Sequence, residues 1–168
     1  MSPSSTSSEN DLLVDRLGSQ RAHVVGILEG LSEEEIRRPV LPSGWSGLGL
    51  LQHLAVDVEQ LWFRGVVGGD RAAIDEVVRY DAWHVGPGTP VASVFDLYRR
   101  QAAAADAIIG AASLDAPPGV WPDDLFGEWR LDSVREVVLH VLTETATHAG
   151  HLDAARELID GRTWLILG

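Results

Sequence analysis

The stretch Arg135–Gly161, REVVLHVLTETATHAGHLDAARELIDG, decides how the rest of the chain is read. It reads as one long helix. Ser133 as N-cap with Glu136 three residues on makes a capping box, and Gly161 stands where a C′ glycine ends a helix. Inside lies a row of metal-capable side chains: His140, Glu144, His148 and His151. At about 100° per residue, Glu144, His148 and His151 fall about 40°, 80° and 20° around the axis from His140. All four share one face. Val134, Val137, Val138, Val141 and Leu142 make the first half of the helix apolar over a wide arc, and Leu152, Ala155 and Leu158 continue it. The polar row borders this surface, where an uncompensated carboxylate is costly. The face therefore either crosses a wet, charged surface or builds a site, and the helix alone leaves both open.

The whole chain has 168 residues, 45% hydrophobic and 23% charged, enough for one globular domain that buries roughly 70% of its unfolded surface. A formal charge of −12 with no basic cluster argues against a nucleic-acid partner and against an anionic membrane surface. Cysteine is absent, which removes disulfides, thiolate ligands and a cysteine nucleophile. Any metal must then be held by nitrogen and oxygen. The start, MSPSSTSSEN, lacks the basic and apolar regions of a signal peptide, and no apolar run approaches the ~20 residues of a membrane span. The expectation is a soluble cytoplasmic protein acting on a small molecule.

In chain order, residues 1–8 are Ser-rich and predicted to be disordered, and 9–168 form a single domain. Leu13, Leu17, Val24, Ile27, Leu28 and Leu31 follow helical spacing from Asn10 to Gly30. Ser32 with Glu35 opens a short acidic helix that Pro39 ends. Ser46 caps a second long helix through Leu48, Leu51, Ala55, Val58 and Trp62, and His53 flanks its apolar stripe. A lone histidine there is more often a packed core residue than a ligand. From Gly65 the chain loosens, with a weak helical piece around Asp70–Val78 and then HVGPGTP; so long a connection often borders a site. Thr89 as N-cap with Pro90 at the first position starts a third helix that runs to about Ala112. A Pro/Gly-rich loop, Asp115–Arg130, carries two tryptophans to the fourth.

Four long helices with long crossover connections predict an all-α four-helix bundle, whose sites are built from inward-facing side chains. Glu144 and His148, at i and i+4, lie about 6 Å apart along the axis and can chelate one ion. If the second and fourth helices are neighbours, His53 faces them. His, Glu and His would leave a coordination position for water or substrate, whereas closed structural zinc sites have four protein ligands.

The segment W45-S-x-L-x-L-L-Q-H53-L-A with Glu59 and Trp62, then E144-T-x-x-H148-x-G-H151-x-D153-x-x-R156-E157-L-x-D160-G161, resembles the DinB/YfiT-like superfamily. These are four-helix-bundle metalloenzymes that include the mycothiol-dependent maleylpyruvate isomerases. The resemblance runs from the first helix to Gly161. It implies a DinB-like bundle in which His53, Glu144 and His148 hold a zinc or nickel ion. Many members have histidine where Glu144 stands, and the thiol-dependent isomerases have glutamate there. His151, at a place often occupied by glutamine, is either a fourth ligand or an acid/base. Asp57 and His140 are candidates to orient the ligands, and Trp62, Trp129 and Tyr98 to wall a pocket. A homodimer is expected, which the apolar tail RTWLILG would suit. Two function classes follow. The first is a metal-dependent enzyme activating water or a small thiol, the thiol supplied by mycothiol since the chain has none. The second is a non-catalytic bundle with a structural or regulatory ion.

Overall fold

Three serines set the starts of three helices. Ser8, Ser32 and Ser133 each accept a hydrogen bond from the backbone N–H three residues on, and Asp11, Glu35 and Glu136 return the bond to the cap. These boxes satisfy two orphan donors apiece. They open α1 (Glu9–Leu28), α2 (Glu33–Arg37) and a long terminal helix (Val134–Asp160). Ser46 caps α3 (Gly47–His53) through Gly49 N–H, and Asp70 caps α4 (Arg71–Val78) through Ala73 N–H. α5 (Val91–Ala111) and the short α6 (Asp123–Phe126) follow, so the terminal helix is α7. It ends at Gly161, whose φ of 78° is the left-handed cap expected there. This computed structural model describes residues 8–164, and among them there is no strand.

α3 does not continue as an α-helix. From Leu54 to Val67 the chain runs as a π-helix, whose last turn closes with Gly68 N–H donating to the Phe63 carbonyl five residues back. Such turns are rare and mostly short, and they collect at functional sites. Ten of these fourteen residues are buried, so the wide coil presents side chains to neighbours on nearly every side. One predicted start also moves. The third long helix begins at Val91 with Pro90 as N-cap, one residue later than Thr89-Pro90 suggested, because the Thr89 carbonyl accepts from Arg37 instead.

The four long elements close a ring: α1 packs on α7, α7 on α3 and its π segment, these on α5, and α5 on α1. The all-α bundle is thus as expected. Leu17, Val24 and Ile27 meet Leu48, Leu51, Phe63, Ile109, Val137 and Val141 inside, all fully buried. Each contributes roughly 1.5–3 kcal/mol. Leu158, expected on the apolar face, is exposed instead. Polar bridges lock the ring. Arg21 of α1 makes a two-pronged bond to Glu59 (2.6 and 2.7 Å) and reaches Asp106 of α5 at 2.6 Å. At the other end Arg156, 4% exposed, donates to the Ile27 and Glu29 carbonyls as well as to Asp160. Arg156 thus both pairs along its own helix and ties it to the end of α1. The tail packs on the bundle as far as Trp164, which stacks on His23, itself 2.7 Å from Asp153. Of residues 1–8, predicted to be disordered, Ser8 instead caps α1, and residues 1–7, like 165–168 of the tail, lie outside the described residues.

Candidate metal centre

α7 places Glu144 and His148 one turn apart, and its packing on α3 brings His53 across from them. One donor atom from each of His53, Glu144 and His148 lies within 4.8 Å of the others, all three half-buried. His148 Nε2 is 3.6 Å from Glu144 Oε2, and the His53 and His148 rings meet edge-on with centroids 5.1 Å apart. Two donors on a tetrahedral ion at 2.0–2.2 Å sit about 3.4 Å apart. The donors thus fit an ion after side-chain adjustments of about an ångström.

The nitrogens that do not face this cluster have partners. His53 Nδ1 is 2.8 Å from Asp57 Oδ2, leaving Nε2 for the centre. Asp57, one turn on, is where an orienting carboxylate was expected. His148 Nδ1 is 3.3 Å from His151 Nδ1. His151 is exposed and stands behind His148, outside the three-residue cluster. Burial holds His148 below the ordinary imidazole value, helped by His53 and His151 and opposed by Glu144. A neutral ring is the form that ligates.

His140 does not join them. It packs between Trp62 (centroids 4.6 Å) and Trp129 (5.5 Å), and burial lowers its pKa against the pull of Glu144. Its expected orienting role gives way to an aromatic cluster with Phe126 and Trp121. Tyr98, expected at a pocket wall, is core at 1% exposure, and its hydroxyl has no hydrogen-bond partner among the described residues.

A contact without a local sequence signal completes the site. Trp83, in the long connection between α4 and α5, stacks on His53 with centroids 4.0 Å apart and planes 21° apart. Beside it opens a cleft of about 370 Å³ walled by Trp83 and Trp45, with Ser43, Asp81 and His84 on its rim. Trp45 faces His151, with ring centroids 6.3 Å apart.

Residues 12–161 match the family model described as mycothiol-S-transferase. The chain belongs to the mycothiol-S-transferase family. The matched span contains all three clustered residues, Asp57 and His151, and the walls of the cleft. Within this family the DinB/YfiT-like bundle is the expected architecture, and the helix packing found here agrees with it. Searches of curated proteins and of solved structures returned no significant match. Among the described residues no helix is long and apolar enough to cross a membrane.

Proposed function

We propose that this protein is a divalent-metal-dependent S-transferase that conjugates mycothiol to a small electrophile, with His53, Glu144 and His148 as the metal ligands. The observation that carries the reading is the convergence of these three donors from two helices, within 4.8 Å, in a chain of that family. Two imidazoles and a carboxylate suit zinc, with nickel as the alternative, and three protein ligands leave a position for substrate. When bound, such an ion supplies Lewis acidity that favours the thiolate form of a thiol beside it.

The chain's own residues do the rest. Asp57 fixes the ring of His53 by accepting at Oδ2 from the Nδ1–H, the kind of outer contact that sets ligand orientation. His151, exposed and facing the cleft wall Trp45, is the residue we assign to take the thiol proton and pass it to solvent or to the product. The sulfur then forms the new bond to carbon while the electrophile's leaving group departs, or its opened oxygen takes the proton. The cleft between Trp45 and Trp83 receives the substrate body. His151 lying outside the cluster speaks against a closed four-ligand structural site.

The test is metal analysis and transferase assay on one preparation. The expected result is about one divalent ion per chain, and conjugation of mycothiol to an activated aryl halide that stops on chelation and returns with Zn²⁺. Full activity in the chelated protein would overturn the metal's role, and metal binding without conjugation would favour a regulatory ion.

A further inference from the structure

The turn of α3 that carries His53 also holds the loop opposite it. Gln52, 3% exposed, donates from Nε2 to the Ala82 carbonyl at 2.9 Å and accepts at Oε1 from the Tyr80 hydroxyl at 3.2 Å. Three residues earlier, Gly49 lies so close to this loop that a Cβ there would sit 2.3 Å from the Trp83 carbonyl oxygen. Only glycine permits that approach, since backbone cannot step aside as a side-chain tip can. The loop is therefore held against the helix at two points, Tyr80–Ala82 by hydrogen bonds to Gln52 and Trp83 by the close approach of its own carbonyl to Gly49. The Trp83 indole covers the face of the His53 imidazole while Asp57 holds the ring's edge. Face and edge contacts together remove the two rotations that a histidine side chain has, about its χ1 and χ2 bonds. The same indole walls the 370 Å³ cleft.

We propose that Trp83 is a positioning residue: it sets the plane of the His53 ring for the metal and is the wall shared by the metal centre and the substrate cleft. A flat ring at position 83 is what the role needs, and the indole N–H is dispensable. The inference rests on the metal-centre reading above and adds a residue that touches no ion.

Cobalt titration of the purified full chain tests it, following the Co²⁺ visible bands and the quenching of tryptophan emission in wild type, Trp83→Phe, Trp83→Leu and Trp129→Leu. Trp83→Phe keeps a stacking face, so its Co²⁺ spectrum and affinity stay within about twofold of wild type. Its quenching falls, because the indole beside the ion is gone. Trp83→Leu binds Co²⁺ about 10-fold more weakly, the lower end of losses seen for outer-shell changes, with a shifted band. Trp129→Leu, whose ring packs on His140 away from the cluster, keeps the wild-type affinity and spectrum. Thermal melts separate lost folding from lost positioning; should Trp83→Leu not fold, the quenching and spectrum of Trp83→Phe decide the matter alone. Unchanged quenching in Trp83→Phe, or wild-type affinity and bands in a folded Trp83→Leu, would overturn the proposal. Wild type binding no Co²⁺ would overturn it together with the metal centre, whereas normal binding with no effect of Trp83 overturns this inference only.

Discussion

Asp57 Oδ2 lies 2.8 Å from His53 Nδ1, and the pair sits where α3 changes into the π-helix, with His53 the last α-helical residue. In the proposed centre the carboxylate orients the ring toward the ion. Asp57→Asn keeps the shape but weakens the acceptor's charge. Its affinity for Zn²⁺, measured by competition with a chromogenic chelator, is expected to fall roughly 10–100-fold. His53→Ala loses more. Equal affinity in Asp57→Asn and wild type would remove Asp57 from the site.

The Arg21–Glu59 bond is a buried stability element, the two side chains being 7% and 0% exposed. Burial pushes the Glu59 carboxyl up while Arg21 pulls it down. Breaking such a pair from one side strands a charge, which costs about 3–5 kcal/mol. Glu59→Leu should lose that amount in urea unfolding, and Arg21→Met with Glu59→Leu should recover much of it. A double variant no better than the single would mean that Asp106, the second partner of Arg21, carries most of the bond.

Asp160 is held below the ordinary carboxylate value of 3.8, first by its bonds from Arg156 and then by the Arg162 backbone N–H. A depressed folded pKa contributes stability that is fully present above the unfolded value and lost as pH falls through the folded one. Asp160→Asn removes it. The melting temperatures of wild type and variant should thus differ most above about pH 4 and converge in stronger acid. A gap that widens on acidification would contradict the sign.

Gly49→Ala drives a methyl into the Trp83 carbonyl. Overpacking against backbone costs about 1–3 kcal/mol, and the loop must shift to relieve it. The expected outcome is a lower urea midpoint together with weaker Zn²⁺ binding, although position 49 touches no ligand. A drop in stability with intact affinity would uncouple the loop from the centre.

His140 shares a helix face with Glu144, His148 and His151 by helical period but packs among Trp62 and Trp129. His140→Phe should leave Zn²⁺ affinity within about twofold of wild type, whereas His148→Ala should lose at least ~10-fold. Loss in both would restore His140 as an orienting residue.

Local chemistry was legible in the chain itself. The capping boxes at Ser32 and Ser133 and the stop at Gly161 act over a few residues, so their side chains and spacing specify them without help from the rest of the molecule. The shared face of Glu144 and His148 follows from helical period in the same way. Beyond Leu54 the chain coils as a π-helix, which an angle of 100° per residue does not describe, yet Ala55, Val58 and Trp62, picked out by three- and four-residue spacing, are all buried.

Sequence by itself therefore determined most of the long helices, several of their caps and the shared face of Glu144 and His148; it offered His53 as their partner only on the condition that two helices pack together, and resemblance to a family strengthened that expectation. Tertiary structure decided which groups meet: His53 with His148, Trp83 with His53, Arg21 with Glu59, and Arg156 with the end of α1. These partners are 30 to 129 residues apart. No periodicity or cap links such positions, since their contact depends on how whole helices pack, and packing is settled by the summed burial of every face at once.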